Sequence, residues 1–158
     1  MTMSRTKAGA AGLLLLLGMA SPATASFMPG RWQHQTRLLE ASIPGVPHWL
    51  VRLVASRSAR VSCNSHEQLS ARPETLLNQD DGAVCVARHF AMDGGRLTYE
   101  TFCTNRRFPE GLLISSHGTW TPGSYSIAST ATGTRKGKPV LIRTTSTGTR
   151  VAGTCTRA

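Results

Sequence analysis

The sequence predicts a mainly β domain, an antiparallel meander sheet curved into a half-barrel or barrel, with a short helical insertion and two disulfides. Three observations carry this. From residue 83 onward the chain is a succession of segments rich in threonine, serine and valine, with a glycine at each bend, as antiparallel hairpins require. No apolar period is long enough for the helix of a βαβ unit, which removes parallel-sheet nucleotide folds. All four cysteines, Cys63, Cys85, Cys103 and Cys155, lie beyond the first 25 residues, and an even count suits pairing in an oxidising compartment.

Taken in order, residues 1–25 read as a secretory signal. Arg5 and Lys7 precede an apolar run over 8–20, and Ala23 and Ala25 supply the small residues before a cut near Ala25. The run is too short for a membrane span of ~20 residues. Residues 26–158 then form one disulfide-bonded β domain, expected in the periplasm or outside the cell, with no membrane span. Residues 31–38 alternate, with Trp32, His34, Thr36 and Leu38 on one face, the pattern of a half-buried strand. Pro44 and Pro47 break it, and residues 48–55 read as a second strand of high β-propensity. After a short extended piece at 60–63, Asn64 and Glu67 have the spacing of a capping box for a helix over 67–71. Pro73 is placed to start a further turn, and Asp80, Asp81 and Gly82 to end it. Strands follow at 84–90, 96–103, 112–120, 124–132, 139–147 and 149–154.

The stretch from Cys85 to Cys103 can be tested by its own register. With the turn centred on Gly94, Cys85 falls opposite Cys103, Arg88 opposite Glu100, Val86 opposite Phe102 and His89 opposite Tyr99. One alignment thus yields a disulfide, an ion pair, an apolar pair and an aromatic pair, all favourable across strands. Four cysteines allow three connectivities; this register selects Cys85–Cys103 and leaves Cys63–Cys155. The alternative, free reactive thiols, conflicts with export.

Function is less legible. Without Arg5 and Lys7, the 18 basic residues become 16 against 8 acidic ones, and such a surface attracts anionic polymers. Arg135, Lys136 and Lys138 form the one basic cluster and are the candidate contact with an anionic envelope polymer. No aromatic residues interleave with them, so nucleic acid is not an expected partner. The G-x-S-x-G elbow of hydrolases and HExxH are absent. His34, His48, His66, His89 and His117 share no ligand spacing, and no catalytic residue, metal or cofactor is assigned. Ser65, His66 and Glu67 are neighbours in sequence and fit a helix start better than a triad. The glycines at 133 and 137 lack the spacing of a phosphate loop. Trp32, Trp49 and Trp120 either fill the core or line a cavity for a hydrophobic ligand.

The order of these features resembles a family of small exported proteins of Gram-negative bacteria, domain of unknown function 3617. The resemblance rests on Pro29, Gly30, Arg31 and Trp32, on Cys63 with the helix after it, on Cys85 and Cys103, and on Gly153, Thr154 and Cys155. Beyond residue 25 the methionines are only Met28 and Met92, where many relatives carry Met-rich strands. The resemblance implies an exported, disulfide-bonded β domain and transfers no catalytic residue. The expected function is a non-enzymatic exported protein that binds a hydrophobic ligand or an envelope component. The alternative is a small periplasmic hydrolase or other enzyme whose site is assembled from distant residues.

Overall fold

The computed structural model describes residues 26–47, 49, 51, 58–78 and 82–155. Residues 1–25, most of 48–55 and the two aspartates at 80–81 lie outside the described residues. Among the described residues seven strands form one sheet: β1 (Gly30–Ser42), β2 (Ser58–Asn64), β3 (Val84–Asp93), β4 (Arg96–Thr104), β5 (Leu112–Thr121), β6 (Ser124–Arg135) and β7 (Lys138–Ala152). The order across the sheet is β2-β1-β7-β6-β5-β4-β3, and every neighbouring pair is antiparallel. The sheet curls into a half-barrel. No helix among the described residues is long and apolar enough to cross a membrane.

The open side has a topological cause. Antiparallel pairing at each step from β2 to β3 leaves these two edge strands running in the same direction. The chain leaving β2 must therefore travel back along the sheet before β3 can begin, as parallel connections always require. The described part of this return carries helix α1 (His66–Ala71) and a 3-10 turn at Pro73–Leu76. Leu69 and Leu76 from this segment are buried. They pack with Phe27, Trp32, Leu97, Tyr125 and Ile127 into the larger core cluster.

Helix α1 starts one residue later in its capping pattern than the sequence suggests. Ser65 is the N-cap: its hydroxyl accepts from the Gln68 N–H (3.2 Å), and Gln68 Oε1 accepts from the Ser65 N–H (2.9 Å). Asn64 is unavailable because it closes β2, where it is buried and donates through Nδ2 to Ser62 Oγ (2.7 Å). The expected strand at 48–55 is also corrected where it is described. Trp49 and Val51 are helical, and the Val51 N–H donates to the Pro47 carbonyl (3.2 Å). Pro47, just before these residues, accepts that bond through its carbonyl, and the local turn outweighs β-propensity there.

The hairpin of β3 and β4 keeps the predicted register only at its far end. Cys85 faces Cys103 and Val86 faces Phe102, but beyond Ala87 the pairing slips by one, so that His89 faces Glu100 and Phe90 faces Tyr99. The turn explains the slip. Gly94 and Gly95 both have positive φ, 52° and 77°, the two-residue geometry whose twist suits a hairpin. A bulge at Arg88 then absorbs the extra residue and restores the disulfide register. Arg88 consequently lies over the Phe102 ring, 5.2 Å from its centroid, in place of the expected ion pair with Glu100. Phe90 makes the edge-to-face contact with Tyr99 at 5.8 Å, in place of His89.

The two predicted strands at 139–147 and 149–154 are one continuous strand, β7. Gly148 does not break it; the Tyr125 ring lies over it where a Cβ would stand. Both disulfides are present, Cys63–Cys155 with Cα atoms 5.7 Å apart and Cys85–Cys103 at 4.1 Å. The loop of 92 residues closed by the first is worth roughly 4–5 kcal/mol by chain entropy, against ~3 for the loop of 18. The Pro29 to Trp32 signature also has a reason. Gly30 has φ +133°, and a Cβ there would run into the Ala152 carbonyl, so glycine lets β1 enter beside β7. The Pro29 carbonyl accepts from Arg150 Nε (2.7 Å), and Trp32 Nε1 donates to the Met28 carbonyl (3.0 Å).

Candidate ligand cavity

The concave face divides into two parts. At one end the aromatic residues close on one another: Phe27 meets Trp32 edge-on at 5.6 Å and Trp120 at 5.7 Å, with Leu69 and Leu76 above. Toward the other end lies a cavity of about 410 Å³, within the ~300–1,000 Å³ of small-molecule sites. Its floor is formed by inward residues of β4 to β7, and its rim by Leu77, Asn78 and Phe108.

Register places the floor residues in rows. In β7, β6 and β5 the inward positions pass from aliphatic to hydroxyl: Ile142 then Thr144, Ala131 then Ser129, Ile114 then Ser116. Thr144 pairs with Ser129, Ser129 with Ser116, and Ser116 with Tyr99. Four residues that carry hydroxyls thus share one row straight across four strands. Beside it Thr36 and Ser146 pair across β1 and β7. The Ser116 and Ser129 hydroxyls lie 2.7 Å apart, those of Thr36 and Ser146 2.9 Å. Tyr99 donates to Asn78 Oδ1 at 2.8 Å, and its phenol is pushed above the ordinary value mainly by burial, so it stays neutral. The adjoining rows hold Ile142, Ala131 and Ile114, then Val140 and Leu112; with Ile43 and Phe108 they make a second apolar cluster. No charged side chain lines the cavity among the described residues.

The three tryptophans proposed for such a cavity stand elsewhere. Trp32 is wholly buried in the packed end, Trp120 packs against the same cluster, and Trp49 is 67 % exposed. Trp32 therefore follows the core-filling alternative, because its position on β1 lies beneath Phe27 and beside Tyr125. Sequence reading missed Ser116, Ser129 and Thr144. Their signal was the even spacing of hydroxyl residues in three successive strands, which becomes a row only once the strand registers are known.

The described histidines do not converge. His34 is buried, with Nδ1 2.9 Å from Tyr125 Oη and Nε2 2.7 Å from Ser62 Oγ. Burial, helped by the charge of Arg60, lowers its pKa from 6.5 to about 4. It is neutral near pH 7 and links β1 to β2 and β6. His66, His89 and His117 are exposed, and His48 lies outside the described residues. Among the described residues no group of three or more His, Cys, Asp or Glu could hold a metal ion.

Arg135, Lys136 and Lys138 cluster at the β6–β7 turn beside Pro44 and Gly45. Lys136 has φ 53°, followed by Gly137 at 70°, again the two-residue hairpin geometry. Glu110 braces this turn: its carboxylate accepts from the Thr134 hydroxyl and from the Lys136 N–H (2.8 Å). Those bonds, the Thr134 one foremost, hold its pKa below the usual carboxylate value. The basic cluster thus contains a fixed negative charge.

Among curated proteins and among solved structures, none matches the chain. Residues 27–155 match the family described as "protein of unknown function (DUF3617)", a span that runs from the first core aromatic to the last cysteine. Over that span the glycine entry of β1, the return segment and both disulfides are the structural content of the signature residues, and the chain belongs to the DUF3617 family.

Proposed function

We propose that this is an exported, non-enzymatic binding protein that carries a small hydrophobic molecule in the concave cavity of its half-barrel. The observation that carries the reading is the contrast on the concave face. A packed end stabilises the fold, while a cavity of about 410 Å³ is left beside it. Protein interiors are otherwise close-packed, and hydroxyls are a poor choice for core filling, since each must find a partner when buried. The basic turn is a weaker candidate for the binding role because Glu110 sits within it. Export rests on the signal-like segment at 1–25 and accords with the two disulfides.

The test uses the mature, disulfide-bonded protein and the neutral fluorescent probe N-phenyl-1-naphthylamine. Saturable enhancement of probe fluorescence is expected, and it should be lost in Ala131→Trp, which fills the floor of the cavity. Ile142→Trp serves as a second filling variant should the first fail to fold. Absence of binding by the wild type, or binding indifferent to a folded filling variant, overturns the reading. Mass analysis of the periplasmic form should place its first residue at Ser26; an uncleaved chain retained in the cytoplasm would overturn the export part.

A further inference from the structure

Building on the reading of the cavity as a ligand site, we infer that its ligand is an uncharged amphiphile. An aliphatic chain lies against Leu112, Ile114 and Ile142, and a neutral hydrogen-bonding head, an alcohol or a glycerol ester, sits on the hydroxyl row. The charge argument comes first. Among the described residues no lysine or arginine lines the cavity, and neither does any acidic residue. A carboxylate or phosphate entering there would lose its water and gain no counter-ion, and an ammonium would fare equally badly.

The second argument is hydrogen-bond capacity. Each hydroxyl has one hydrogen and two lone pairs. The Ser116–Ser129 pair, 2.7 Å apart, uses one of its two hydrogens internally, as does the Thr36–Ser146 pair at 2.9 Å. Each pair therefore keeps one hydrogen to donate and lone pairs to accept, and Thr144 pairs with Ser129 and stands two residues before Ser146 on β7. A head group that both donates and accepts matches this surface. A pure hydrocarbon would strip water from these hydroxyls and return nothing, which is unfavourable. The third argument is polarity along the cavity: on one side of the hydroxyl row the lining of β5 to β7 is Ile142, Ala131 and Ile114, then Leu112. Thr101, in register with Ile114, already gives its hydroxyl hydrogen to the Val86 carbonyl, so an aliphatic tail has an apolar wall to lie against.

The experiment is competition with N-phenyl-1-naphthylamine at pH 8 by four ligands of one chain length: 1-decanol, decanoate, decyltrimethylammonium and decane. 1-Decanol is expected to bind about tenfold or more tightly than either ion and than decane, the scale of one hydrogen-bonded group. The double variant Ser129→Val with Thr144→Val should reduce that preference over decane, each competition being referred to the variant's own affinity for the probe. Decanoate or the ammonium binding as well as the alcohol overturns the uncharged class, although the cavity reading survives. An alcohol preference unchanged in the folded double variant overturns the role of the row. Failure of the probe and all four ligands to bind overturns the cavity reading itself, and the inference with it.

Discussion

The two ends of the concave face are built on the same strands and filled by different means. At the packed end, β1, β5 and β6 contribute Trp32, Trp120 and Tyr125, and the return segment between β2 and β3 lowers Leu69 and Leu76 onto them. In the other part the inward positions of β5, β6 and β7 are small, aliphatic or hydroxyl, and the space between them stays open. The difference teaches where packing is concentrated and where space is left. His34 stands at the boundary, tying the edge strand β2 to Tyr125 in the packed end.

That division can be broken experimentally, most severely at the packed end. Trp32→Ala is expected to destabilise the protein by ~3–5 kcal/mol, as for other fully buried aromatic residues. Equilibrium urea unfolding of the oxidised protein measures it, and a loss under ~1 kcal/mol would show that the packed end does not dominate.

The boundary is tested by pH. The folded-state pKa of His34 is about 4, below the ordinary 6.5. Between these values the unfolded chain binds a proton that the folded chain refuses. Stability from this group is complete above pH 6.5 and falls as pH drops toward 4, by up to ~3 kcal/mol. The difference between wild-type and His34→Gln stability profiles should carry that slope. Parallel profiles from pH 7 to 4 would place the acid sensitivity in other groups.

The smallest effect is expected in the cavity. Ser129→Ala removes one hydroxyl of a pair in an open space and should change stability by less than ~1 kcal/mol in either direction. A loss comparable to that of Trp32→Ala would mean that the row is structural and that the contrast between the two parts is wrong.

Much of the architecture was legible because it depends on local chemistry. Alternation placed Trp32, His34 and Thr36 on the inward face, and glycine-rich bends marked the hairpins from β3 to β7. The disulfide pairing followed from one hairpin, since Cys85 and Cys103 are close in sequence. What escaped was finer or longer in range. The slip at Arg88 depends on whether the turn at Gly94 and Gly95 has two residues or three, and both readings satisfy the same glycines. The cap moved from Asn64 to Ser65 because β2 claimed Asn64 for pairing with Gly30, a partner distant in sequence.

The candidate site shows the same division. Each hydroxyl of the row is visible as an inward position of its own strand, but the row exists only if Thr144, Ser129, Ser116 and Tyr99 share a level. That level is set by the lengths of the turns joining β4 to β7 and by the pairing of β7 with β1. The sequence by itself determined the strands, their inward faces and the covalent staples, because period-two alternation and turn chemistry act over a few residues. Only the tertiary structure decided the register between strands, the return segment that plugs one end and the cavity left at the other. These depend on contacts between residues as far apart as Thr36 and Ser146, for which no local rule of sequence exists.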